Sequence, residues 1–256
     1  MANNRKIFIF ENSYKLTNYL VKRWVEIAKD AIYTNNRFVA AIPGGRTPVE
    51  FYSKLSSMDN YYLWQNTHLF LTDERFVPEG NRDSNFRMIK ENLLNDIPVP
   101  PENVHPVKTN FVRAAQAAEN YAGDMRRFFG GDRLPRFDVV VLGIGEDGHI
   151  ASLFPGAREL EESERWAVAL CDEKIKHERI SLTLPVINQA RHVFFLVCGR
   201  GKAGIIKKII EEGQNVPASM VDPKSGELEI FLDNDASSQL VIRDEYAHLD
   251  DAIVIS

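Results

Sequence analysis

Short apolar runs alternate with amphipathic stretches along almost the whole chain. Lys6–Phe10 (KIFIF), Arg37–Pro43 (RFVAAIP), His68–Thr72 (HLFLT), Asp138–Leu142 (DVVVL) and Val193–Val197 (VFFLV) are too short for helices and rich in β-branched or aromatic residues. That pattern predicts strands buried on both faces. After the first of them, Leu16, Leu20, Trp24, Ile27 and Ala28 recur at helical spacing, so Asn12 or Ser13 is expected to cap a helix reaching Ala31. Further helices are expected over Val49–Leu55, from the Asp83-Ser84-Asn85 cap to about Leu94, over Val112–Phe129, and from Gly199-Arg200-Gly201-Lys202-Ala203 to Glu212. Trp166–Cys171 and Leu228–Leu232 read as additional strands, and Glu178–Pro185 alternates polar with apolar residues as a half-exposed strand does. Ile97–Asn110, with Pro98, Pro100, Pro101 and Pro106, reads as an irregular connection. Strand and helix in alternation predict α/β architecture: one domain over 1–256, a three-layer sandwich around a mostly parallel, Rossmann-like sheet.

The densest chemistry lies in Asp138–Gly156, DVVVLGIGEDGHIASLFPG. A buried strand empties into Gly143-Ile144-Gly145, then Glu146, Asp147, Gly148 and His149 follow at its carboxyl end. Ligands bind at that end of the strands in open α/β sheets. A histidine in a glycine turn between carboxylates is placed for proton transfer near neutral pH, which makes His149 the candidate base. Helical potential after His149 reaches only Phe154, because Pro155-Gly156 stops it.

Two other strands end in polar clusters. Arg37–Pro43 runs into Gly44-Gly45-Arg46-Thr47-Pro48, where turn amides and a helix start can hold an anion, with Thr47 adding a hydroxyl and Arg46 a charge. The same residues also fit an ordinary helix start with Thr47 as N-cap and Pro48 at the first turn, and local pattern leaves both readings open. The stretch does not match a P-loop. His68–Thr72 runs into Asp73-Glu74-Arg75-Phe76-Val77-Pro78, which puts Asp73 and Arg75 at the same sheet edge. Lys202, at a helix start, and Arg179 are the remaining bases within reach of a bound anion.

A formal net charge of −5 at pH 7 argues against a nucleic-acid or anionic-membrane partner, so an anionic ligand needs a locally basic site. No apolar run approaches the length of a membrane span, and Met1–Ser13 is too weakly apolar for a signal peptide, so a cytoplasmic protein is expected. Cys171 and Cys198 each close an apolar run and read as buried structural thiols. Neither they nor the scattered histidines show zinc-type spacing, so no metal is expected. One rival is written in the same loop. Gly143–Gly148 formally satisfies G-x-G-x-x-G, with Asp172 after the next strand where a ribose-binding carboxylate belongs, which would suit a nicotinamide-dependent dehydrogenase. Against it, Glu146 and Asp147 stand where a pyrophosphate would rest, and the following helix is too short for the usual crossover.

Taken together, PGGRTP (43–48), TDERFVP (72–78), DSN (83–85), LGIGEDGHIASLFPG (142–156), ERISLTLPVINQARHVFFLVCGRGKA (178–203), PASMV and FLDNDAS resemble the 6-phosphogluconolactonases. These sit within a larger group that includes the glucosamine-6-phosphate deaminases/isomerases. The deaminases continue the shared GIGEDGHIA with an Asn-Glu-Pro type sequence whose glutamate assists ring opening. Here Ser152-Leu153-Phe154-Pro155-Gly156 stands instead, which looks like the lactonase branch. The resemblance implies a NagB/RpiA/CoA-transferase-like fold and hydrolysis of 6-phospho-D-glucono-1,5-lactone to 6-phosphogluconate in the oxidative pentose phosphate pathway. It implies no cofactor, a small-molecule sugar-phosphate partner, and a monomer or homodimer. On this reading His149 activates water and Asp147 orients the loop or the imidazole. Arg75 polarises the carbonyl, Asp73 supports, and Gly44, Gly45, Arg46 and Thr47 hold the phosphate with Arg179 and Lys202.

Overall fold

The computed structural model describes residues 5–58, 60–131, 133–171, 175–241, 247–249 and 252–255. β1 (Arg5–Phe10) leads into α1 (Ser13–Asn35), β2 (Phe38–Ile42), α2 (Val49–Ser56), α3 (Tyr61–Gln65), β3 (Thr67–Leu71), β4 (Asp73–Arg75) and α4 (Asn85–Ile89). β5 (Val104–His105), α5 (Ala114–Phe129), β6 (Val139–Leu142), β7 (Ala167–Leu170), β8 (Arg179–Leu182), α6 (Leu184–Ile187) and β9 (His192–Val197) follow. α7 (Ala203–Ile210), β10 (Glu227–Asp233), α8 (Asn234–Ser237), β11 (Ala247–Leu249) and β12 (Ala252–Ile255) complete the order.

The main sheet runs β11-β12-β1-β10-β9-β6-β2-β3-β5. From β1 to β5 every neighbouring pair is parallel, and β12 and β11 extend the sheet antiparallel at one edge. The expected mostly parallel α/β sheet is therefore present. The central strands are apolar because helices cover both faces of a parallel sheet. β6 is buried at all four positions and β2 at all five.

α1 turns the predicted face inward: Leu16, Leu20, Trp24, Ile27 and Ala28 are buried. Trp24 meets Phe38 and Phe51 edge-on, with ring centroids 4.9 and 5.6 Å apart. Burial of such a side chain contributes about 1.5–3 kcal/mol. Asn12 caps the helix by accepting from the Lys15 N–H at 3.0 Å. The helix then continues past Ala31 to Asn35, where Asn36 closes it in the left-handed region. Among the described residues no helix is long and apolar enough to cross a membrane.

Three expectations needed correction. Trp166–Cys171 and Glu178–Pro185 do not join the main sheet: β7 and β8 form a separate antiparallel sheet with β4, ordered β4-β8-β7. Asp73–Arg75 is consequently a strand of this small sheet rather than a loop after β3. Residues 150–154 form a tight turn closed by the Ile150–Leu153 bridge, not a helix. Finally, Cys171 is exposed and Cys198 only half-buried, because each sits just past the end of its strand rather than within it.

At the far edge, His68 Nδ1 and His105 Nε2 lie 3.3 Å apart. Burial pushes both pKa values down from 6.5 to about 4, helped by Arg37 at His68 and by His68 at His105. The unfolded chain then binds protons between pH 6.5 and 4 that the folded chain refuses. Stability is complete above about pH 6.5 and falls as the pH drops toward 4. Replacing both histidines by Phe should flatten that part of a denaturation-midpoint-against-pH curve; an unchanged slope would contradict this account.

Candidate active site

Three loops from separate parts of the sequence line one cleft of about 400 Å³. Pro43, Gly44, Gly45, Arg46 and Thr47 follow β2; Gly143, Ile144, Gly145, Glu146 and His149 follow β6; Cys198 and Lys202 follow β9. These strands are parallel neighbours in the order β9-β6-β2, so their carboxyl ends open on the same edge. Asp73, Arg75, Asn85 and Ala151 close the remaining wall.

His149 is held by its own loop. Its Nδ1 lies 2.6 Å from Asp147 Oδ1, and its backbone N–H donates to the same oxygen at 3.1 Å. Burial works to raise the Asp147 carboxyl, but the His149 N–H and imidazole outweigh it and hold the carboxyl below its usual range. Asp147 does not reach the cleft wall; it works from behind the ring. A tautomer with the proton on Nδ1 satisfies the carboxylate and leaves Nε2 as the free acceptor. On the other side Phe154 packs against the imidazole, with centroids 4.7 Å apart. Gly145 makes this geometry possible, since a Cβ there would fall 2.1 Å from His149 Nδ1 and 2.5 Å from Asp147 Oδ1.

The glycine turn does not start α2 through a Thr47 cap. Pro48 occupies the cap position of α2 with no side-chain cap, so the Thr47 hydroxyl is not used to start the helix. Arg46 and Thr47 are both exposed on the cleft. Tyr52 fixes the turn from below by donating to the Pro43 carbonyl at 2.5 Å. Gly45 has φ of +93°, a conformation L side chains rarely adopt. Gly44 packs directly on Asn85, whose Oδ1 would lie 1.9 Å from an added Cβ.

Lys202 is placed by the end of β10: Asp233 accepts from the Gly199 N–H at 3.0 Å and from the Ala236 N–H at 2.7 Å, pinning the turn before it. Cys198 beside it is a neutral thiol, pushed up to about 12 by burial and by the carboxylates of Asp233 and Glu50.

Asp73 is buried, its Oδ2 accepting from Ser152 Oγ at 2.6 Å. Arg75 donates through Nη1 to the Asp83 carbonyl at 2.7 Å. Arg179 pairs with Arg75 across the β4–β8 register but does not line the cleft. Burial lowers its pKa, and the neighbouring Arg75 guanidinium lowers it further. The Nε atoms of both arginines and Asn85 Oδ1 are buried without a protein partner.

Of the residues singled out from sequence, nine of the lining or supporting positions fall in one place: Gly44, Gly45, Arg46, Thr47, Asp73, Arg75, His149 and Lys202 on the wall, with Asp147 directly behind it. Sequence reasoning missed Asn85, Ala151, Ser152 and Glu74. From local pattern Asn85 and Ser84 read only as a helix cap, which Ser84 indeed is, although both stand in the DSN stretch that carries the resemblance. Glu74 is a buried carboxylate that accepts from the N–H groups of Arg75, Asn85 and Phe86 and from Ser84 Oγ, tying the Arg75 strand to Asn85. Only the folded chain brings those partners together. Ala151 is a non-glycine residue at φ +47°, a conformation costing about 1–2 kcal/mol.

The dinucleotide reading fails on geometry. The turn after Gly143–Gly148 starts no helix, and Gly145 is filled by the His149–Asp147 pair rather than left open to a pyrophosphate. Asp172 lies outside the described residues.

The family model described as glucosamine-6-phosphate isomerases/6-phosphogluconolactonase matches residues 11–230. A curated relative, 6-phosphogluconolactonase 3, chloroplastic, of Arabidopsis thaliana, is 32% identical over 249 residues, covering 92% of this chain and 75% of the relative. The solved 6-phosphogluconolactonase of Trypanosoma brucei superposes with a TM-score of 0.82 at 28% identity, over 92% of this chain and 98% of that one. A monomeric glucosamine-6-phosphate deaminase shares the fold alone, with a TM-score of 0.75 at 18% identity over 91% and 99% of the two chains. The chain belongs to the glucosamine-6-phosphate isomerase/6-phosphogluconolactonase family.

Proposed function

We propose that this chain hydrolyses 6-phospho-D-glucono-1,5-lactone to 6-phosphogluconate, with His149 as the general base and the glycine turn as the phosphate seat. The observation that carries the reading is the His149–Asp147 contact of 2.6 Å in a cleft that also holds the Gly44–Thr47 turn and Lys202. One ligand with an anion at one end and a reactive carbonyl at the other fits that layout. The cleft is large enough for a single hexose phosphate.

A δ-lactone is an activated ester, so it needs an activated water and support for the developing oxyanion. Water attacks the lactone carbonyl carbon while its proton passes to His149 Nε2. Asp147, on Nδ1, stabilises the resulting imidazolium and fixes the ring. The tetrahedral intermediate then expels the ring oxygen, which takes the proton back from His149 as the ring opens. Arg75 polarises the carbonyl oxygen. Asp73, held by Ser152, supports the wall beside it. Lys202, Arg46 and the turn amides neutralise the phosphate, and Arg179 adds charge from behind Arg75. This local cluster of bases answers the net charge of −5.

Deamination is the less favoured chemistry. Phe154 fills the far side of the imidazole, and the Ser152–Gly156 stretch brings no carboxylate to it. A coupled assay on freshly prepared lactone, with glucosamine 6-phosphate as control, separates the two; turnover of the amino sugar alone would reverse the assignment.

Lys202→Ala should raise KM for the phosphorylated lactone about tenfold or more, the range for losing a charge-assisted contact. Unphosphorylated gluconolactone should be handled almost as before. Equal losses on both substrates would remove Lys202 from the phosphate seat.

A further inference from the structure

We propose that the backbone N–H of Ala151 is an oxyanion donor for the lactone carbonyl, the second beside Arg75. The inference rests on the lactonase reading and adds a group to it.

From Gly148 to Leu153 the amides can be accounted for one by one. Gly148 donates to the Gly145 carbonyl at 3.0 Å, His149 to Asp147 Oδ1 at 3.1 Å, and Ile150 to the Leu153 carbonyl at 3.3 Å. Ser152 donates to Ser181 Oγ at 3.3 Å and Leu153 to the Ile150 carbonyl at 2.8 Å. Among the described residues the Ala151 N–H has no acceptor. A native fold leaves few amides of a half-buried turn unpaired, and an unpaired one beside a reactive group has a use elsewhere.

Its position gives that use. Ala151 lines the same cleft as His149, two residues away along the loop. Its φ of +47° is left-handed, and the other described non-glycine residue with positive φ, Asn36, merely closes α1. Ala151 closes no helix. Its conformation is enforced from both sides by the Ile150–Leu153 bridge and by the Ser152 contacts to Asp73 and Ser181. Strain kept in place by its surroundings at a reactive site is a form of preorganisation.

The partner for this donor is the oxygen that becomes negative. When the water oxygen bonds to the carbonyl carbon, the carbonyl π pair moves to oxygen and the water proton moves to His149. The oxyanion then accepts from Ala151 N–H and from Arg75, and both contacts relax when the ring oxygen leaves. Arg75 already spends Nη1 on the Asp83 carbonyl, so a second donor completes what one guanidinium leaves partly met.

The test removes the proton and keeps the side chain: the full chain is made with lactic acid in place of Ala151 by nonsense suppression, converting that amide to an ester. The expected result is a kcat lowered about 10²–10³-fold with KM changed little, the loss seen on removing one oxyanion donor. The melting temperature and 6-phosphogluconate binding should stay near those of the unaltered chain. A second measurement needs no variant. Saturation of the ¹⁵N-labelled protein with 6-phosphogluconate, whose carboxylate oxygen stands in for the oxyanion, should move the Ala151 amide proton downfield and slow its exchange with solvent. A kcat within threefold of normal in the ester variant, or an Ala151 resonance that does not respond, overturns the proposal. The unaltered chain assayed alongside keeps the two ideas apart: if it does not turn over the lactone the lactonase reading falls, whereas an active unaltered chain with an equally active ester variant sinks only the Ala151 role.

Discussion

His149→Ala should lower lactone turnover by about 10²–10⁴-fold, the contribution of a well-placed general base. Binding of 6-phosphogluconate should survive, because the proposed phosphate seat draws on the loops after β2 and β9 and not on the imidazole. The fold should survive as well. His149 packs against Phe154 and Asp147 at the rim of the cleft, and the buried strand β6 before it is complete without the side chain. Initial rates corrected for uncatalysed ring opening, together with calorimetric titration of the product, read both halves. Turnover near the unaltered rate would remove His149 as the base. Lost product binding would mean that the imidazole contributes to the ground state instead.

Gly145→Ala should come close to the same loss without touching a reacting group. The added methyl would stand 2.1 Å from His149 Nδ1, 2.4 Å from its Cε1 and 2.5 Å from Asp147 Oδ1, far inside van der Waals contact. The ring and the carboxylate must separate or the loop must shift, and either breaks the 2.6 Å contact that sets the tautomer. A fall in kcat of about 10²-fold or more is expected, since a displacement of about an ångström at a reacting group is worth that much. The backbone here needs no positive φ, and Gly145 donates to the His149 carbonyl as any residue can, so the melting temperature should move by only a few degrees. A kcat near normal would show that the loop absorbs the methyl and that the His149–Asp147 geometry is not limiting. Gly44→Ala meets a similar obstacle at the other end of the cleft. There the methyl collides with buried Asn85, and the effect should appear in KM rather than kcat.

The sequence exposed those residues whose chemistry is local. His149, Asp147 and Gly145 lie within five positions, and a run of valines before them announces a buried strand with a ligand-binding end. The glycine turn at 44–47 was visible for the same reason, although local pattern left it undecided between anion seat and helix start. The structure puts Pro48, not Thr47, at the cap position, which removes the Thr47 cap and leaves the anion seat as a proposal. Asn85, Glu74 and Ser152 were opaque because their roles are set by partners far along the chain. Ser152 meets Asp73 across 79 positions, and Glu74 meets Asn85 across 11. Periodicity found β7 and β8 as strands but not the sheet they join, since a four-residue strand reads alike in the main sheet or a side sheet, and the charged β4 residues carry no apolar pattern at all.

By itself the chain order determined the α/β class, the parallel sheet and the loop that bears the histidine. Those follow from hydrophobic spacing and from glycine placement, which act over a few residues. Only the tertiary structure decided that the turns after β2, β6 and β9 face one cleft, that Arg179 stands opposite Arg75 on the neighbouring strand without lining the wall, and that among the described residues of its turn Ala151 keeps an amide with no acceptor. The physical reason is that strand order and hydrogen-bond accounting are properties of the packed sheet. They depend on which distant segments pair, and no short window of sequence contains both partners.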